Sequence, residues 1–272
     1  MHRKVKVNKI LSEWLNWNER KPCPYSQFQV INVQQVNELS GEIREYFVNL
    51  LRVTRFDSQF LKDMAKYLGW EQVSKQIVAT GMPSLSTTKR GEFGEVLFAA
   101  ILEEFHDYKI PVPKLSFKIT ANQSLPATDI LALKVDEISA IIEVCFVESK
   151  LRTTSDNTAA VEGYKQLQSA YESKLPDILI FVAARLHERN DALFETFASY
   201  MRDRGDVADK DNFRLGLCWE RSEWSEKVLQ NLQENDVDLP RFTVHVIGIN
   251  NLRQITDELF AELGIEEVFD DD

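Results

Sequence analysis

The chain has 272 residues, 44% of them apolar, with 43 acids against 32 bases and a formal charge of -11. That apolar share can bury a core for one large domain or two modest ones, while the acidity excludes a protein that coats nucleic acid through a generally basic surface. Cys23, Cys145 and Cys218 are far apart and form no C-x-x-C pair, which argues against a disulfide framework and for a reducing, cytoplasmic setting. No apolar run reaches the ~20 residues of a membrane span, and the basic start Met1–Lys6 leads into polar sequence, so no membrane association is expected.

Residues 7 to 18 place Val7, Ile10, Leu11, Trp14, Leu15 and Trp17 at near-helical spacing, ended by Pro22-Cys23-Pro24. Phe28 to Val33 reads as a short strand. Val36 to Val53 is amphipathic, with Ser40-Gly41 as a potential break. Phe56 to Leu68 and Trp70 to Ala79 continue as helices, so residues 1–85 form a mainly helical N-terminal region suited to binding a partner. Gly81 to Thr88 is the clearest linker, with Thr87 or Thr88 as a helix cap. The remainder, 86–272, forms the second unit. Lys89 to Phe105 is predicted helical, and Leu115 to Thr120 alternates like a half-buried strand. A β-hairpin follows, from Ile130-Leu131-Ala132-Leu133 through Asp136-Glu137 to the run Ile138–Val147. Thr158 to Ser173 is a helix expected to stop before Pro176, and Ile178-Leu179-Ile180-Phe181-Val182 reads as a fully buried strand. Ala192–Met201, the region Trp224–Leu232 and Leu252–Leu263 are helical; Phe213–Trp219 and Phe242–Ile249 are strands. From residue 88 the order is α-β-β-β-α-β and then α, β, α, β, α. This is an α/β fold, a mixed sheet flanked by helices.

The chemistry concentrates on residues 128–152. Glu148-Ser149-Lys150 closes a long apolar strand, and alternation puts Glu148 and Lys150 on one face. Asp129 opens the preceding strand. Two carboxylates and an ammonium meeting there suit a divalent cation and a water attacking a phosphodiester. An acid-x-Lys triplet is weak evidence alone. The chain has four, at Glu19, Asp107, Glu148 and Glu172, and only Glu148 ends a long strand with an acid one strand earlier. A solvated strand end is the plain reading of Glu148 and Lys150, and a turn that of Asp129 after Pro126. Glu143 is five residues from Glu148 and therefore faces the other way. In Gly91-Glu92-Phe93-Gly94-Glu95, two helix glycines cost about 1 kcal/mol each relative to alanine, which implies close backbone approach. There Glu95 becomes a candidate helix carboxylate, with Lys89, Arg90 and, further on, Gln166 as weaker candidates for substrate phosphate. His2, His106, His187 and His245 show no metal spacing, and no phosphate loop or nucleophile elbow is present.

Glu95, Asp129 and Glu148-x-Lys150, in that element order, resemble the PD-(D/E)xK nuclease superfamily with its restriction-endonuclease-like fold. The proline is displaced, in Pro126-Ala127-Thr128-Asp129. Lys89–Glu95, Ala127–Leu131 and Val147–Leu151 further resemble HamA, the nuclease-like family of Hachiman anti-phage defence, over roughly residues 88 to 200. The resemblance implies a metal-dependent DNA nuclease effector working with a helicase, HamB-like, that delivers so acidic a chain to DNA. It implies Mg²⁺ or Mn²⁺ on Asp129, Glu148 and Glu95, and Lys150 positioning water or stabilising phosphate charge. Two alternatives stay open: a catalytically silent endonuclease-like subunit regulating the helicase, and a stand-alone restriction or repair endonuclease.

Overall fold

The structure, a computed structural model, describes residues 10–56, 58–73, 81–117 and 128–263. Six strands form one mixed sheet: β1 (Leu15–Glu19), β2 (Gln29–Gln35), β3 (Ile130–Val135), β4 (Ile141–Arg152), β5 (Asp211–Glu220) and β6 (Phe242–Ile249). Their spatial order is β1-β2-β6-β5-β4-β3. The four central strands run parallel, and β1 and β3 are antiparallel edges. Every residue of β6 is buried, as a central parallel strand covered on both faces requires.

Helices cover both faces. On one face lie α1 (Gly41–Arg55), α4 (Ser86–His106) and α9 (Leu252–Glu262). On the other lie α5 (Ala159–Glu188), α6 (Leu193–Arg202) and α8 (Lys227–Gln233). The short helices α2 (Ser58–Leu68), α3 (Trp70–Val73) and α7 (Arg204–Val207) complete the set among the described residues. Along β4, Cys145, Val147 and Leu151 enter the α4-side core, while Val144 and Phe146 enter the α5-side core. Burial of both sheet faces is the main driving force, at about 25 cal/mol per Å² of apolar surface.

The α/β class, the mixed sheet and the hairpin match expectation, as do β2, β5, β6 and helices α1, α4, α6, α8 and α9. Four details differ. Residues 10–13 form a 3-10 turn and 15–19 a strand rather than one helix, because Leu15-Asn16-Trp17-Asn18 alternates buried and exposed. Buried Glu104 on α4 holds that turn, accepting from the amides of Leu11 (2.7 Å) and Ser12 (3.2 Å). Lys114–Phe117 is a 3-10 turn, not the start of a strand; residues 118–120 lie outside the described set. The predicted helix to Ser173 and strand at 178–182 are one helix, α5, which runs through Pro176. Ile178, Leu179, Val182 and Leu186 lie on its buried face, while Ile180 is 59% exposed. A fully buried strand would have hidden Ile180 as well. Losing one helical bond at Pro176 costs about 3 kcal/mol, and burial of that apolar face offsets it. The order after residue 86 is therefore α-β-β-α, with β5 reached only after α7. Neither Thr87 nor Thr88 caps α4, which begins already at Ser86.

The N-terminal region is not purely helical: β2 pairs in parallel with β6, from Gln29 opposite Thr243 to Gln34 opposite Gly248. α1 is tied to α4 by a buried Arg55–Glu92 ion pair, with Arg55 also donating to the Gly81 carbonyl. Ser40 caps α1 by accepting from the Ile43 amide, so Ser40-Gly41 marks its start.

Candidate active site

Hairpin register sets the site. Ile130 pairs with Val147, which places Asp129 level with Glu148 and, by alternation, on the α5 side of the sheet. β3 begins at Ile130, yet the preceding residues stay latched to β4. The Asp129 amide donates to the Val147 carbonyl at 3.0 Å. The Thr128 hydroxyl accepts from the Val147 amide (3.1 Å) and donates to its carbonyl (2.5 Å). A side chain thereby continues the ladder, and Asp129 is fixed at its end. Asp129 Oδ2 accepts from the Ser149 amide at 2.9 Å. In an extended strand a residue's amide and carbonyl point the same way, so the Ser149 carbonyl turns toward the Asp129 edge.

Glu148 is 6% exposed. Its Oε1 accepts from Lys150 Nζ at 2.7 Å, and Lys150 also donates to Gln166 Oε1 on α5. Gly163 lets α5 approach this closely: a Cβ there would lie 3.4 Å from Lys150 Cγ and 2.6 Å from Leu215 Cδ1. Burial, followed by the nearby Asp129 charge, pushes the Glu148 carboxyl up to about 7, against the opposing pull of Lys150 and Lys114. Two carboxylates forced together in a dehydrated place are a donor set that a divalent cation relieves.

Lys114 carries a role that the sequence did not suggest. Its Nζ donates to the Thr128 carbonyl at 3.1 Å and lies 3.8 Å from Asp129 Oδ1. Lys114 and Asp129 line two adjoining cavities. One, of about 150 Å³, is shared with Glu95; the other, of about 320 Å³, with Lys174 and Asp177 of α5. No sequence signal marked Lys114, since its approach depends on the 3-10 turn.

The predicted residues thus separate. Asp129, Glu148, Lys150 and Gln166 come together. Glu95 lies on α4 and shares a cavity with Asp129 but not with Glu148. Among the described residues, no group of three or more His, Cys, Asp or Glu side chains is already arranged to hold a metal. Arg90 donates to Thr153 Oγ1 (2.6 Å) and the Ser86 carbonyl (3.2 Å). Lys89 Nζ sits 5.9 Å from the Phe260 ring centroid. Both start α4, on the α4 side of the sheet. Among the described residues no helix is long and apolar enough to cross a membrane.

A family model described as HamA matches residues 9–263. No curated protein matches the chain.

Proposed function

The chain belongs to the HamA family, and from that premise we propose that it is a metal-dependent DNA nuclease effector of Hachiman anti-phage defence, acting with a HamB-like helicase. The family carries the defence role. The nuclease reading rests chiefly on one observation: Asp129 and Glu148 are in register on one sheet face, with Lys150 bound to Glu148. The mixed sheet with helices on both faces suits a restriction-endonuclease-like core.

In this reading Asp129, Glu148 and the Ser149 carbonyl would hold Mg²⁺ or Mn²⁺, with Glu95 acting through water from the adjoining cavity. The bound ion would supply Lewis acidity and a more acidic water. Thr128 and the Ser149 amide hold Asp129 in place. Lys150 and Lys114 put two ammonium groups beside the carboxylates, where negative charge on an attacked phosphate would develop. Gln166 orients Lys150. The helicase would supply the DNA affinity that a chain of charge -11 lacks.

A second reading is favoured by a specific feature. Lys150 already neutralises Glu148, and no three-residue ligand cluster is formed among the described residues. That suits a silent subunit that docks on the helicase. The purified chain, alone and with its helicase, is to be assayed for Mg²⁺-dependent DNA cleavage beside the Glu148→Ala/Lys150→Ala double variant. The nuclease reading expects cleavage by the wild type and none by the variant. Equal cleavage by both would sink the site, and a stable complex that never cleaves would establish the silent reading.

A further inference from the structure

Where the parallel strands β2, β5 and β6 begin lies a polar cavity of about 470 Å³. Its position follows from register. Arg214 on β5 pairs with Val147, whereas Glu148 pairs with Leu215. Arg214 therefore leaves the sheet on the face away from Glu148 and Lys150. It lines the cavity with Arg241, Glu143, Asn212, Tyr25 and Phe28.

Arg214 is held by groups other than carboxylates among the described residues. Its Nη1 lies 2.9 Å from His245 Nε2, and its guanidinium carbon is 5.3 Å from the Tyr108 ring centroid. Arginine only donates, so His245 Nε2 accepts and the histidine proton sits on Nδ1. Burial, then Arg214 and His106, keep His245 well below its ordinary titration range and therefore neutral. Arg214 enters no ion pair with a carboxylate among the described residues, and its buried Nε has no hydrogen-bond partner among them. The Tyr108 ring offsets part of this charge. It leaves the Nε donor unmet among the described residues, which is unfavourable for a buried donor. Arg241 adds a second cation at the rim. Its Nε and Nη2 donate to the Asp211 carbonyl, which fixes the guanidinium.

The other walls narrow the ligand. Glu143 is not an ion-pair partner for either arginine. Its Oε2 accepts from the Tyr108 hydroxyl (2.5 Å) and from Asn212 Nδ2 (3.2 Å). That holds the carboxylate in place to accept from a ligand hydroxyl. Tyr25 stacks on buried Phe28 with ring centroids 4.9 Å apart, which fixes the Tyr25 ring as an aromatic surface for a planar ligand. The volume falls within the 300–1,000 Å³ usual for small-molecule sites.

We propose that this cavity binds a nucleoside monophosphate: the phosphate on Arg214 and Arg241, a sugar hydroxyl on Glu143, and the base against Tyr25. The site is separate from the carboxylate pair, and the inference stands whether or not the chain cleaves DNA. Isothermal titration calorimetry on the full chain, with chelator present, tests it. The probes are the four ribonucleoside 5′-monophosphates singly, adenosine, and inorganic phosphate. At least one monophosphate should bind, phosphate more weakly, and adenosine not measurably. Arg214→Gln and Arg241→Gln should each weaken binding about tenfold or more, the loss expected for one charge-assisted contact. Lys150→Ala should leave it unchanged. Arg241 is exposed, so Arg241→Gln remains informative if Arg214→Gln fails to fold. No heat from any monophosphate at millimolar concentration overturns the proposal. So does affinity unchanged in Arg241→Gln, or lost equally in Lys150→Ala.

Discussion

Glu148→Gln in metal-free protein probes the carboxylate pair directly. The Glu148 carboxyl is pushed from its ordinary 4.5 up to about 7 by burial and by Asp129. The folded state therefore holds this proton more tightly than the unfolded chain. Between about pH 4.5 and 7 the folded chain binds more protons, so stability falls as pH rises, and the loss is complete above the folded value. The gap from 4.5 to about 7 corresponds to about 3 kcal/mol. Glutamine has nearly the same shape and cannot ionise, so it removes this term. It also takes the carboxylate from Lys150, although Gln166 still accepts from that ammonium. That second change is nearly constant over this range, and the pH-dependent difference isolates the first. For 272 residues, at about 2.1 cal/mol/K per residue, the melting entropy is about 0.6 kcal/mol/K, so the effect is about 5 °C. Thermal melts of wild type and Glu148→Gln with chelator, from pH 5 to 8, should show the variant gaining on the wild type by up to that amount. A difference that does not grow between pH 5 and 8 would refute the reasoning.

Lys114→Met removes a cation that holds the Glu148 carboxyl down and that sits beside Asp129. If the chain cleaves DNA, the rise of activity with pH should move to higher pH, measured as initial rates from pH 6 to 9; an unmoved profile would separate Lys114 from the site. Arg55→Met removes the buried ion pair to Glu92, which is 1% exposed. Such a loss costs about 3–5 kcal/mol, and by the same entropy the melting temperature should fall by about 5–9 °C.

The parts of the fold that were legible in the sequence are those where one short-range signal dominates. The apolar runs 130–133, 213–219 and 242–249 become strands because nothing competes with their burial. α5 was misread because two local signals, Pro176 and an unbroken apolar pentad, pointed the same wrong way. Helical burial of Ile178, Leu179, Val182 and Leu186 against the sheet overrode both. The segment 10–19 was misread for the opposite reason. Trp14 and Leu15 fit a helical stripe locally, but Glu104, some ninety residues away in sequence, holds the turn that precedes β1. Asp129, Glu148 and Lys150 were legible because strand alternation sets their common face. Lys114 was not, since its approach to Asp129 depends on a turn and on a cavity wall that no spacing encodes.

The site has consequences for how it would be switched on. At rest the Glu148 carboxylate is engaged by Lys150, and Lys150 is held in turn by Gln166 on α5. If the proposed cation binds at Asp129 and Glu148, that pair would have to loosen, and a carboxyl titrating near 7 would add competition from protons. Glu95, the third carboxylate of the proposed set, stands on α4 and lines the cavity beside Asp129. That cavity is also lined by Leu50, Val53 and Thr54 of α1, the helix that Arg55 clamps to α4 through Glu92. A small shift of α1 and α4 relative to β3 would change the distance from Glu95 to Asp129 without breaking the β3–β4 register. α1 thus lines the same cavity as Glu95, and under the proposed function a partner docked on α1 would have a physical route to the site.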